Sequence, residues 1–278
     1  PRESTEPVVF SREDLELAEQ DVTMAMHMAI EQNKFGFLKH LIEKESKHLS
    51  QDTSLNLDIN YLFSGSKSNL LHTAARNNRC KMMKYLVEEL HMNVDGLDLQ
   101  EATPLYHAII KGHMRAVVFL ISKGATLNMK DVHEWTPLVL AMKYNHFEIA
   151  KLLLLSGADL HYKSKKANTV LHMVCAEGST PKARYLLEQE GARFFVQNRD
   201  NEIPIMLALA YPNLTKYLID HVLEFHPSKV MPWLCAREDQ DNNIVHLCVA
   251  KNYAATLVHI VTKLPNKALY TLLSDKNN

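Results

Sequence analysis

One stretch of this chain is written twice. From Thr103 it reads T-P-L-Y-H-A-I-I-K-G-H-M-R-A-V-V-F-L-I-S-K-G-A-T-L-N, and Thr136 then opens T-P-L-V-L-A-M-K-Y-N-H-F-E-I-A-K-L-L-L-L-S-G-A-D-L-H. Thr103 and Thr136 lie 33 residues apart, as do Gly124 and Gly157, with proline, leucine, alanine and histidine keeping step. Self-similarity at that period marks a chain of stacked units, each burying its apolar face against its neighbours.

Each word has a physical task. Thr103 and Thr136 are expected to cap a helix, their hydroxyls accepting from backbone N–H groups of the first turn. Pro104 and Pro137 follow at the first helical position, where a missing N–H costs nothing. Leu105, Ala108 and Ile109 give this inner helix an apolar face, and the small alanine lets a second helix approach. Gly112-His113 separates the two helices, and Val117, Phe119, Leu120 and Ile121 line the second. Gly124-Ala125 ends it, glycine taking the left-handed conformation. The few residues left over form a solvent-facing finger.

The words T-P-L, then G-H or N-H, then G-A, resemble ankyrin repeats. The resemblance runs from about Thr23 to Asn278, strongest in the two copies above. A first repeat starts at Thr23 with Met26-His27-Met28-Ala29-Ile30. The second reads N-L-L-H-T-A-A from Asn69, the fifth T-V-L-H-M-V-C-A-E-G from Thr169, and a worn sixth I-P-I-M-L-A-L-A from Ile203 with Asn213 capping its next helix. A seventh opens at Asn243-Ile244-Val245-His246. The implied fold is an all-α solenoid of about seven helix-turn-helix units with β-hairpin-like finger loops, occupying 23–278. Insertions are expected near 47–68 and 222–240, the latter with a short helix across Ser228–Cys235 carrying Trp233. The acidic segment 1–22 reads either as a tail or as a capping helix from Ser11 to Gln20. The closing L-L-S-D-K-N-N begins a further finger, which points to a longer array. Val139 and Met206, at the usual histidine position, should loosen local hydrogen bonding only.

Composition narrows the function. A formal charge of −1 with pI near 7.1 provides no electrostatic grip on nucleic acid or anionic membrane. No apolar run approaches the roughly 20 residues of a membrane span, and P-R-E-S-T-E-P is not a signal peptide. Cys80, Cys175, Cys235 and Cys248 are scattered without C-x-x-C, so reduced, mostly buried thiols and a cytoplasmic or nuclear location are expected. Asn213-Leu214-Thr215 matches a glycosylation sequon but falls at a helix start.

No catalytic motif is found: no dinucleotide or phosphate-binding glycine loop, no H-E-x-x-H, no nucleophile elbow. Catalysis, cofactor and metal are therefore not expected in this stretch of chain. The resemblance assigns His27, His72, His172 and His246 to one structural position, and His113 and His146 to another. His221 and His226 fall short of the three or four ligands zinc needs.

Binding remains. In the repeats this chain resembles, fingers and the exposed side of inner helices form a concave docking face for other proteins or peptides. Carried over, the partner-binding positions are Leu99, Gln100, Ala102, Ile110 and Lys111, then Val132, His133, Trp135, Lys143 and Tyr144. They continue with Lys165, Lys166, Asn168, Ala176 and Glu177, and with Arg199, Asp200, Glu202, Ala210 and Tyr211. Trp135 and Tyr144 are the preferred anchors, because aromatics dominate interface energetics; the plain alternative for Trp135 is packing on the neighbouring finger. His161-Tyr162-Lys163-Ser164-Lys165-Lys166 is a basic finger that suits an acidic peptide or simply a solvated loop. The expected role is a non-enzymatic interaction scaffold or adaptor. Three alternatives remain open: an inhibitor of NF-kappa-B-like regulator, the cytosolic array of a TRP-type channel, and a bacterial effector whose catalytic domain lies elsewhere.

Overall fold

A computed structural model describes residues 10–49, 68–189 and 191–264. The elements are helical, with no strand among the described residues. The chain divides into two compact units, Pro1–Ala158 and Asp159–Asn278.

In the first unit Ser11 accepts from the Asp14 N–H at 3.2 Å and starts the helix Arg12–Gln20, none of whose residues is buried. The Lys34 ammonium holds the Asp14 carboxylate at 2.6 Å and ties this helix to the first pair, Val22–Glu31 and Phe35–Leu49. Of the two readings of the acidic segment, the helix is the one found for residues 12–20. The pairs that follow are Leu70–Arg76 with Cys80–Lys84, Pro104–Ile110 with Met114–Ser122, and Pro137–Lys143 with Phe147–Leu155. Successive inner helices pack side by side. Leu71, Leu105 and Leu138 repeat at one position and are almost fully buried, each worth about 2 kcal/mol of burial.

The second unit pairs Val170–Glu177 with Thr180–Arg184, Pro204–Ala208 with Pro212–Phe225, and Ile244–Ala250 with Ala254–Lys263. The turn Pro227–Lys229 and the helix Val230–Leu234, carrying a buried Trp233, fill the expected insertion. The surplus at 50–67 and the final L-L-S-D-K-N-N lie outside the described residues.

Caps show where the repeated words hold and where they give way. Thr136 accepts from a first-turn N–H group as expected, and Asn69, Thr169 and Asn243 do so at the equivalent positions. Thr103 does not. The Tyr106 N–H that it would meet is taken by the Thr103 carbonyl at 3.0 Å, leaving the hydroxyl buried without a partner. Asn213 is not a cap either: Pro212 starts that helix one residue earlier, with Tyr211 at the cap position.

The histidines bind repeat to repeat. His72 donates from Nε2 to the Ala102 carbonyl at 3.0 Å while its Nδ1 accepts from the Asn69 N–H. His172 does the same with Glu202 at 3.1 Å and with the Thr169 N–H. Both carbonyls directly precede the next helix start. Tyr106, at the equivalent position, reaches the same place, its hydroxyl within hydrogen-bond reach of the Trp135 carbonyl and of that of Met129, the latter at 2.6 Å. His27 reaches the next repeat by another route, its Nδ1 lying 2.7 Å from Thr73 Oγ1.

The fingers are turns rather than hairpin strands. Each is closed by a backbone bond, Asp98 N to Ala102 O, Asp131 N to Trp135 O, Ser164 N to Asn168 O, Asn198 N to Glu202 O and Glu238 N to Asn242 O, with a second bond returning to the opening carbonyl, as from Glu101 N to Asp98 O. The opening side chain accepts from the N–H groups inside its own turn, as Asp98, Asp131, Asn198 and Glu238 all do. One residue before each closure the backbone is left-handed, with φ of 55° at Glu101 and 64° at Glu134. That short loop geometry leaves no room for a ladder.

Candidate docking face

In the first unit the fingers of the third and fourth repeats are joined edge to edge, the Val132 N–H donating to the Gln100 carbonyl at 3.0 Å. This sets two apolar side chains on the outside, Leu99 at 55% and Val132 at 47% exposure. Leu97 is exposed beside them, a residue the repeat-by-repeat carry-over passed over. Ala102 does not belong to this face. It is buried, and its carbonyl is the acceptor for His72.

Four of the expected residues of the fourth repeat converge. The Lys143 ammonium stands 3.5 Å from the Trp135 ring centroid and 5.8 Å from that of Tyr144. The His133 ring is 5.4 Å from the indole. Trp135 is half-buried, its carbonyl serving as the Tyr106 acceptor, so it packs and is presented at once. Tyr144 is 40% exposed and stacks at 6.4 Å on His146. That histidine in turn lies on Gly112, where a β-carbon would meet its ring at 2.6 Å and where φ is +69°. The glycine of the G-H word is thus what lets the ring under Tyr144 sit close. Ile110 is half-exposed and Lys111 exposed at the end of the neighbouring inner helix.

In the second unit the expected residues divide by task. Lys165, Lys166, Arg199 and Asp200 are exposed on fingers joined by the Arg199 N–H to the Lys166 carbonyl at 2.9 Å, and the backbone of Asp200 extends the row to Asp239. Asn168 and Glu202 are braces. The Asn198 side-chain amide donates to both, at 2.9 and 3.0 Å. Glu177 holds the ammonium of the buried Lys182 at 2.7 and 2.8 Å. Tyr211 lies on Gly178 and donates to the Ala176 carbonyl at 3.1 Å, the place His113 takes in the first unit by donating to Arg76. Ala176 and Ala210 are exposed but offer little surface.

One cluster of metal-ligand residue types occurs among the described residues, His72, Asp98 and His107. Its donors are already engaged. Asp98 accepts from the Gln100 and Ala102 N–H groups at 2.8 and 3.0 Å and from His107 Nε2 at 2.8 Å. Burial alone would raise the Asp98 carboxyl, but these donors hold it down at about 2. Burial, with the neighbouring His107 ring, lowers His72 to about 4. The trio braces the third finger against two inner helices. The four cysteines are free thiols, and burial pushes that of Cys248 up to about 11, away from nucleophilic use at neutral pH. Among the described residues no helix is long and apolar enough to cross a membrane.

The family described as Ankyrin repeats matches residues 71–164 and 138–229, in three copies. Alpha-latrotoxin-Lh1a of Latrodectus hasselti is 47% identical over 58 residues, a match spanning 21% of this chain and only 4% of the toxin. Among solved structures, a chain from the predatory endopeptidase Bd0816 of Bdellovibrio bacteriovorus in complex with immunity protein Bd3460 is similar at a TM-score of 0.57. It is 20% identical, with 72% of this chain and 99% of that one covered, a likeness of fold.

Proposed function

Because the chain belongs to the ankyrin-repeat family, a family of protein-interaction domains, we propose that it is a non-catalytic interaction module whose docking face is centred on His133, Trp135, Lys143 and Tyr144. The observation that carries this reading is the convergence of these four residues, with the exposed Leu99 and Val132 on the adjoining finger tips. Two aromatic rings around an ammonium, beside an imidazole, offer both an apolar seat and positive potential. An acidic partner segment bearing an apolar side chain fits such a surface. Lys165, Lys166 and Arg199 extend the same preference on the fingers of the second unit. Binding comes from a preformed surface, so little ordering entropy opposes it. An adaptor or scaffold in the cytoplasm, where free thiols persist, accommodates these features.

The test is selection from a displayed peptide library, with affinity capture and mass spectrometry to identify the natural partner. Acidic peptides with an apolar residue should be enriched. Replacing Trp135 and Tyr144 together with Ala should abolish their capture while helical circular dichroism is retained. Unchanged capture, or enrichment indifferent to acidic residues, would move the docking face elsewhere.

A further inference from the structure

The second unit carries an aromatic cluster to which its insertion contributes Trp233. Counting from the helix-ending glycine, Phe194 stands where Leu127 and Leu160 stand, and Phe195 where the exposed polar Asn128 and His161 stand. The two phenyl rings are 4.2 Å apart. Trp233 of the inserted helix approaches both edge-on, at 6.3 and 6.4 Å. His226 closes on Phe194 at 4.9 Å. A hollow opens on either side of Phe195. One, of about 460 Å³, is walled by Phe195, Trp233, Ile203 and Lys229. The other, of about 480 Å³, is walled by Phe194, Phe195, Arg193, His221, His226 and Lys229. Both volumes fall within the range of small-ligand sites, about 300–1,000 Å³.

The polar groups in these walls share one sign. No acidic side chain is among the described lining residues of either hollow. Arg193 and Lys229 are exposed, and neither forms an ion pair with a described residue. The Lys229 ammonium stands 5.3 Å from the Phe195 ring centroid, on the wall that both hollows share. Burial holds the His221 imidazole below its usual range, so Arg193 and Lys229 are the standing charges at neutral pH. The Trp233 indole N–H is buried with no partner, an arrangement that costs about 1–3 kcal/mol until an acceptor meets it.

We infer that the hollows flanking Phe195 bind an organic anion in which an aromatic ring is joined to a carboxylate or phosphate. The ring seats against Phe195, beside Trp233 in the first hollow or Phe194 in the second, and the anionic group meets the shared Lys229, joined in the second hollow by Arg193. Neither feature suffices alone: an apolar ring leaves two cations unanswered, and a bare inorganic anion leaves the aromatic walls uncovered. The site shares no residue with the docking face on the fourth repeat, so the two readings stand or fall separately.

The chain has two tryptophans, and Trp135→Phe leaves Trp233 as the reporter in the wall itself. Titration of that variant with 2-naphthoate, 2-naphthamide and inorganic phosphate, followed by Trp233 emission and calorimetry, separates the two requirements. Naphthoate is expected to bind and shift the emission, and the neutral amide and phosphate to bind at least about tenfold more weakly, as loss of a charge-assisted contact implies. Arg193→Ala with Lys229→Ala should weaken naphthoate by a similar factor at unchanged melting temperature, and Lys229→Arg should restore it in part. An acetylated peptide ending in a free C-terminal phenylalanine distinguishes the sources of such a group. Tighter binding than naphthoate points to a protein terminus, weaker binding to a small acid. Equal binding of acid and amide, no binding of naphthoate at millimolar concentration, or indifference to the double variant overturns the inference.

Discussion

Lys182 offers the sharpest test of how this structure partitions its residues between holding and binding. Counted from the cap, it occupies the position of Met82, Ala116 and Ile149, all buried in the core of an outer helix. Its side chain is 2% exposed, and its ammonium reaches out to Glu177, whose own side chain is 49% exposed. Breaking a fully buried ion pair costs about 3–5 kcal/mol, but water already reaches half of this carboxylate and screens the pair. Glu177→Gln should therefore destabilise by about 1–2 kcal/mol. Lys182→Met, the residue its sister position already carries, should be neutral or stabilising by about 1 kcal/mol, since it removes a charge that burial disfavours. In the double variant the cost of the glutamine should vanish. Thermal melting followed by circular dichroism reads this as a cycle, each kcal/mol moving the midpoint by about 2–4 °C at this chain length. If Glu177→Gln costs the same with Met at 182, or if Lys182→Met alone lowers the midpoint by more than about 4 °C, the pair is not the strut described. Partner capture adds a second reading. A strut residue loses binding only in step with stability, whereas a contact residue loses it in both backgrounds with the fold intact.

Two further outcomes follow from the same packing. Leu138→Ala, at a position 1% exposed, should cost about 2–5 kcal/mol by urea denaturation; a change too small to resolve would mean that the fourth repeat is not packed as described. Burial lowers the folded-state values of His27, His72, His172 and His221, so the unfolded chain takes up protons first as pH falls. Their contribution is complete above the ordinary histidine value of about 6.5 and is lost as pH falls toward 4, His72 alone accounting for about 3 kcal/mol. Asp98, held at about 2, adds a further loss only below the usual carboxylate range. The melting temperature should fall between pH 7.5 and 5, and a flat profile would contradict the neutral Nε2-protonated histidines described above.

The paired helices were legible because T-P-L and G-A carry their mechanism in the residue types themselves: a proline that fits only a first turn, a glycine that accepts a left-handed φ. The places of Trp135 and Tyr144 were legible for the same reason, standing at fixed distances from those words. Which of the candidate residues brace the fold was not. Glu177 and Lys165 both read as surface charges in sequence, and only the packing reveals that a lysine five residues on, in a core position, reaches out to Glu177. Nor does the sequence reveal that the Tyr211 ring lies on Gly178 while staying 39% exposed. The words at Thr103 and Thr136 share their first three letters, yet Thr136 caps and Thr103 does not.

A single residue shows how strongly the core dictates the rest. Asn69 to Thr103 and Thr169 to Ile203 each span 34 residues, against 33 for the two repeats between them. Sequence alone allows the surplus to sit in the finger, in the turn between helices, or at the helix end. In the structure both long repeats take it up at the same place, as a π-turn at Tyr85–Glu89 and at Tyr185–Gln189. The core leucines before the surplus, Leu86 and Leu186, are buried at the same distance from the cap as Leu120 and Leu153. Beyond them the register slips. Met92 N and Ala192 N reach back six residues to Leu86 and Leu186, where Ala125 N and Ala158 N reach back five to Leu120 and Leu153. A longer finger would disturb the edge-to-edge backbone bonds, and a longer inner turn would pull the G-H contacts apart. A wider last turn of the outer helix disturbs neither, and it costs little more than poorer hydrogen-bond geometry. The insertion therefore goes where the fewest contacts between repeats depend on phase, which is why two repeats a hundred residues apart solved it identically.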